Sequence, residues 1–349
     1  MIPRPFFAQD DRDLRQIGWW LIIVATLVFV IILVGGATRL TQSGLSIVEW
    51  KPVSGILPPL SDEAWLEEFA AYQATPEYLQ LNQGMTVEEF KGIYWWEFWH
   101  RNLGRLIGLA FALPLLFFIA KRRIPPDLKP RMFILLSLGA AQGLLGWYMV
   151  QSGLIDRPSV SHLRLTAHLF MAVLLLSALV WTAWQVLKAP VLSEPGDKKL
   201  GSFMFGFTVL VALQLALGAL TAGLDAGYIY NDWPLMGAGL IPGEAFATSP
   251  FYDDPATVQF LHRITAYVIF ILAFIPLYEV KRTGGAGCLK MLSIGLIHLV
   301  LLQAILGIVT LVMNVPVALG VLHQGLGIAL FVYCLYFIFA LRGQRYGRA

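Results

Sequence analysis

Eight apolar runs, each close to the thickness of a bilayer, constrain this chain more than any other feature. They fall at roughly 17–37, 98–120, 131–151, 161–186, 201–222, 259–279, 290–312 and 317–340. A helix needs about 20 apolar residues to cross a hydrocarbon core of about 30 Å. Lipid offers the backbone no hydrogen-bond partner, and these runs are too long for barrel strands, so each reads as a helix. Composition agrees: 57% of the 349 residues are hydrophobic and 13% are charged, where a soluble domain averages about 25% charged. The expectation is an all-α polytopic membrane protein with eight transmembrane helices. The stretch MIPRPFFAQDDRDLRQIG (1–18) holds three acids. It has neither a cleavable-leader pattern nor the acid-poor character of an organelle presequence, so the first run is kept as a span.

Charge is distributed by side. KRRIPPDLKPR, between spans two and three, carries five basic residues. The next even-numbered connection holds Lys188, Lys198 and Lys199, KRTGGAGCLK joins spans six and seven, and the tail is RGQRYGR. Residues 223–257 contain no Lys or Arg, and 38–97 contain three against nine acids. Short basic loops stay cytoplasmic. Both termini are therefore expected in the cytoplasm, and the two large loops on the outer side.

The chain repeats itself. Span one exits through GGATRLTQSGLSIVEWKPVSGILPP (35–59) and span five through GALTAGLDAGYIYNDWPLMGAGLIP (218–242). Spans two and six open with His-Arg, at His100-Arg101 and His262-Arg263. QGLLG (142–146) in span three matches QAILG (303–307) in span seven. Four helices per half give both halves one orientation, so the expectation is two parallel four-helix repeats, 1–190 and 191–349. Within the long loop, SDEAWLEEFAAYQATPEYLQ and the aromatic MTVEEFKGIYWWEFWH predict one or two short outer helices. Trp95, Trp96 and Trp99 suit an interfacial belt or a wall around a flat apolar ligand.

The histidines are His100, His162, His168, His262, His298 and His323. An imidazole inside a span is expensive unless partnered, so intramembrane histidines point to function. The repeat pairs His262 with His323, and His100 with a span-four partner. Counting from Gln142 favours His162 as that partner; the apolar setting LTAHLFMAVLLL favours His168, which is the choice made. Two antiparallel helices that each offer an imidazole can hold haem iron from both sides. No cysteine or carboxylate lies at zinc or di-iron spacing, Cys288 and Cys334 read as structural, and His298 has no counterpart. Arg101 and Arg263 suit a carboxylate such as a haem propionate, or snorkelling to the headgroups. Arg39, Arg105 and Arg164 are secondary candidates for the same task. Glu97 lies one turn before His100, where the second half has Gln259. An acid in one half only suggests proton or water handling there.

With EFWHRNLGRLIG, RLTAHL, NDWPLMGAGLIP, FLHRITAY and LHQGLG, these segments resemble the haem A synthase family over nearly the whole chain. The resemblance is to the bacterial type related to the mitochondrial enzymes, without the cysteine pair that some members carry in the first outer loop. It implies oxidation of the C8 methyl of haem O to a formyl, through two hydroxylations and loss of water. It implies metal ligands at His100, His168, His262 and His323, catalytic roles for Glu97, His100 and His168, and haem B held in the C-terminal half with Arg263 and Arg101 nearby. The N-terminal half would take haem O. Expected partners are haem O, membrane lipid, a haem O synthase and an electron donor, with a homo-oligomer left open and no nucleic acid. The expected location is the bacterial inner membrane, with the haem sites toward the periplasm. A bis-histidine b-type cytochrome that only passes electrons is the alternative, and a colourless transporter the more distant one.

Overall fold

The computed structural model describes residues 7–156, 158–190, 198–247, 250–285 and 287–342. The basic tail beyond residue 342 and Arg157 lie outside them. The described residues are all-α: eight helices are long and apolar enough to cross a membrane. In chain order the α-helices of the described residues are α1 (Phe7–Leu40), two short extramembrane helices α2 (Asp62–Gln73) and α3 (Pro76–Leu81), α4 (Val87–Ala120), α5 (Lys129–Asp156), α6 (His162–Val186), α7 (Lys198–Gly223), α8 (Pro255–Leu272), α9 (Ile275–Thr283), α10 (Gly287–Val312) and α11 (Val317–Arg342). Together α8 and α9 make one span. Pro276 explains the break between them, since its nitrogen cannot donate to the carbonyl of Leu272.

The largest departure from the sequence expectation is the start of span two. The aromatic segment 87–99 is not a separate outer helix but the first turns of α4. A capping box fixes that start: Glu89 N donates to Thr86 Oγ1 at 3.3 Å, and Thr86 N donates to Glu89 Oε2 at 2.8 Å. At 34 residues, α4 is roughly 50 Å long, well beyond the ~30 Å of a hydrocarbon core. Its N-terminal turns therefore stand clear of the bilayer and carry an aromatic cap. There Phe69 and Tyr72 of α2 pack with Ile47 and with Phe90, Tyr94 and Phe98 of α4. The Tyr72 and Phe90 rings stack at 5.3 Å. Trp95 packs inward against Trp65 and Phe98, whereas Trp96 and Trp99 are exposed.

In the membrane layer α1, α6, α7 and α11 are central, each packed on at least two of the others. The most apolar stretch of α11 is 61% buried, against 11% for α5, which shows most of its surface to the outside. Helices that face lipid need no hydrophobic contrast between their sides, so Leu106, Leu109, Leu113 and Leu116 of α4 remain exposed. Polar ties set the neighbours. Trp20 Nε1 donates to Ala110 O at 2.8 Å, joining α1 to α4, and Tyr333 donates to Leu292 O at 2.8 Å, joining α11 to α10. At their C-terminal ends, Arg39 of α1 pairs with Asp225 after α7 at 2.8 Å.

Candidate functional site

His262 on α8 and His323 on α11 face each other, with ring centres 6.4 Å apart and planes at 79°. Each ring lies against a glycine on the helix beside it. A Cβ on Gly218 would come 3.2 Å from His262 Cε1, and one on Gly307 would come 2.6 Å from His323 Cε1. One turn before each glycine stands a glutamine that holds the histidine's own backbone. Gln214 Nε2 donates to His262 O at 2.9 Å, and Gln303 Nε2 donates to His323 O at 3.0 Å.

The same parts recur around the other pair. A Cβ on Gly146 of α5 would meet His168 Cε1 at 2.8 Å, and one on Gly35 of α1 would meet His100 Nε2 at 3.3 Å. Gln142 Nε2 donates to His168 O at 3.2 Å. Thus His168, rather than His162, occupies the setting that His262 and His323 share. His162 opens α6 instead, with Nε2 2.8 Å from Asp253 Oδ1, off the line of a hydrogen bond. His298 is exposed on α10, and its Nδ1–H donates to Ile294 O at 2.9 Å within its own helix.

The residues flanking the two His-Arg helix mouths grip the loops that follow α1 and α7. Glu97 is 2% exposed. Its Oε1 accepts from Arg101 Nε at 3.0 Å and Nη2 at 2.6 Å, and its Oε2 accepts from Ser46 Oγ at 2.8 Å and Ile47 N at 2.9 Å. Those four bonds use the acceptor capacity of a carboxylate. Arg101 also donates to Ile47 O and Glu49 O and lies 5.3 Å from the centre of the Trp50 ring. In the second half Gln259 and Arg263 both donate to Tyr230 O, at 2.9 and 2.8 Å, and Arg263 Nη1 donates to Asp232 O and Leu235 O at 3.0 Å. The two arginines are thus loop anchors first. They differ in charge balance: Arg101 has Glu97, whereas Arg263 meets backbone carbonyls and keeps a buried Nε with no partner. The secondary arginines also have other partners. Arg39 binds Asp225 and Gly223 O, Arg105 binds Lys51 O and Pro52 O, and Arg164 lies 5.1 Å from the Tyr148 ring centre.

Sequence reasoning used Gln142 and Gln303 only as register marks and passed over Gln214. The signal was present as Gln-x-x-x-Gly, which occurs on α5, α7 and α10 and places both side chains on one helix face. It also missed Glu77 in α3, a carboxyl only 4% exposed. Burial, then the charge of Glu97, pushes its pKa up to about 8.

Among the described residues no three His, Cys, Asp or Glu converge, so no multi-ligand ion centre is formed. The spacing of His262 and His323 suits a planar metal group held between them. Two imidazoles sharing one metal sit with ring centres about 6 Å apart, given metal–nitrogen bonds near 2 Å, against the 6.4 Å seen for His262 and His323. Nδ1 of His168, His262 and His323 is buried without a partner, and an unmet buried polar atom asks for a ligand.

Fold and site together define a helical membrane protein with eight spans and paired intramembrane histidines. The chain belongs to the haem A synthase family: the family model of the cytochrome oxidase assembly proteins, COX15-CtaA, matches residues 18–335. It is 47% identical to the heme A synthase of Mesorhizobium japonicum over 331 residues, 92% of this chain and 90% of that protein. It is 46% identical to the heme A synthase of Parvibaculum lavamentivorans, over 90% of this chain and 91% of that protein.

Proposed function

We propose that this protein is a haem A synthase, an oxidoreductase that converts the C8 methyl of haem O into the formyl of haem A for use in terminal oxidases. Its family membership and its two intramembrane histidine pairs support this, and the observation that carries it is the opposed pair His262 and His323. His262 and His323 would hold haem B, and His100 and His168 would receive haem O as substrate. When bound, haem B supplies one-electron chemistry, and paired imidazoles favour transfer over ligand binding.

The protein's own groups then have distinct tasks. Residues 1–190 form the substrate half and 191–349 the haem B half, as two parallel four-helix repeats. The recurrence of glutamine, glycine and histidine in both halves supports that division. Both termini are assigned to the cytoplasm and the sites to the periplasmic side of the inner membrane, on the strength of the basic connections. Arg263, lacking a carboxylate, suits a haem propionate. Arg101 would serve likewise only in addition to Glu97. Glu97 is assigned proton or water handling beside His100. To exchange a proton it must first release Ser46 or Arg101, so its chemistry is tied to movement of the first outer loop. An electron donor and a haem O synthase are the partners this role requires.

The test is to incubate the reduced protein with haem O and identify the extracted haems by mass. A formyl product is expected. Bound haem B without any product, under every donor tried, would leave an electron-transfer cytochrome instead.

A further inference from the structure

Three of the four paired histidines have a glutamine on the neighbouring helix, and the fourth does not. On α5, α7 and α10 the glutamine precedes the facing glycine by one turn: Gln142 and Gly146, Gln214 and Gly218, Gln303 and Gly307. Each amide donates to the backbone carbonyl of its histidine. The amides of Gln142 and Gln214 also lie 3.3 and 3.4 Å from a ring nitrogen. On α1 the facing glycine is Gly35, and the residue one turn before it is Ile31. Ile31 fills the same place. Gln303 Nε2 lies 3.1 Å from a Cβ built on Gly327, four residues after His323, and Ile31 Cδ1 lies 3.6 Å from one built on Gly104, four residues after His100. An alkyl group there can donate nothing to His100.

We propose that Gln142, Gln214 and Gln303 are positioning residues that hold His168, His262 and His323 as firm ligands, and that Ile31 leaves His100 as the ligand that gives way. The inference rests on the assignment of these histidines to haem iron. Interhelical hydrogen bonds in lipid fix helix spacing, and partners behind a metal-binding imidazole set its orientation and hold on the metal. The three held histidines each have a buried Nδ1 without a partner, and the three glutamines each have a buried Oε1 without one. His100 has no such acceptor on α1. The two halves therefore differ behind the histidines as well as at Glu97 and Gln259, and the iron of the N-terminal site opens on the α4 side.

Carbon monoxide reads this directly, because reduced iron with two imidazoles binds it only after one has left. The purified, dithionite-reduced protein with its bound haem is titrated with carbon monoxide, and haem content is measured in parallel as the pyridine complex. Ile31→Gln is expected to weaken carbon monoxide binding roughly tenfold at unchanged haem content. Gln303→Leu is expected to make the otherwise inert C-terminal haem bind carbon monoxide, and it carries the test alone if Ile31→Gln does not fold. Haem present with unaltered carbon monoxide affinity in both variants overturns the inference and leaves the haem assignment standing. A wild-type protein without haem overturns both.

Discussion

Arg101 Nη2 lies 2.6 Å from Glu97 Oε1, one turn apart on α4, and both side chains are almost fully buried beneath the loop that follows α1. The pair is a latch. Glu97 takes the backbone N–H of Ile47 and Arg101 takes the carbonyl of the same residue. The pair that flanks His100 in sequence therefore fixes the position of the loop through Ile47.

Removing one partner of a buried pair strands the other charge, at a cost of about 3–5 kcal/mol. Glu97→Ala is thus expected to destabilise the loop more than Glu97→Gln, which can still accept from Ser46 and Ile47. Limited proteolysis within residues 43–59 should rank them wild type, Gln, Ala. Equal cleavage of all three would remove the latch. Glu97→Gln should also cut haem O conversion strongly while haem B content holds.

Arg263 gathers the carbonyls of Tyr230, Asp232 and Leu235 with its planar fork, which a lysine cannot span. Arg263→Lys should loosen the loop between α7 and α8 by on the order of 2 kcal/mol. Faster hydrogen exchange at residues 229–239, with exchange around residues 43–59 unchanged, is the expected signature. Uniform exchange in both loops would contradict it.

Glu77 makes the aromatic cap on α4 sensitive to pH. Its folded pKa, about 8, is raised above the ordinary 4.5. Between these values the folded state holds a proton that the unfolded state has lost. Stability therefore falls as pH rises through that window, by up to about 1.4 kcal/mol per unit. Below pH 4.5 the penalty vanishes, and above about 8 it is constant. Glu77→Gln should flatten the profile and raise the melting temperature at pH 8. An unchanged slope would show that Glu77 does not carry it.

The glycines beneath the rings admit a sharper test. Gly307→Ala puts a Cβ 2.6 Å from His323 Cε1, whereas a Cβ on Gly143 meets nothing within 4 Å. Overpacking of this kind costs about 1–3 kcal/mol. Gly307→Ala should shift the low-spin haem signal in electron paramagnetic resonance, and Gly143→Ala should leave it in place. Identical spectra would place His323 away from the iron.

Which parts were legible in the sequence follows from how each is encoded. The spans were, because a run of apolar residues is a local signal, and so were the His-Arg mouths, because the duplication repeats them. Neither the reach of α4 nor the partners of Arg101 and Arg263 could be read so. The capping box at Thr86 and Glu89 sets the first, but it lies in a segment whose aromatic content resembles an independent interfacial helix. The second depends on loops folding back over helix ends, and a guanidinium looks the same in sequence whether it faces a carboxylate or a carbonyl. The choice of His168 over His162 rested on helix depth, which spacing from Gln142 hides because α5 runs further past Gln142, to Asp156, than α10 runs past Gln303, to Val312.

The most direct measurement is the haem content of the purified protein beside its His262→Ala, His323→Ala and His298→Ala variants, by extraction and mass. Haem B in the wild type and in His298→Ala, and its loss from the other two, is the expected result. A colourless wild type, or full haem B in His262→Ala, would contradict the assignment of the paired imidazoles to iron.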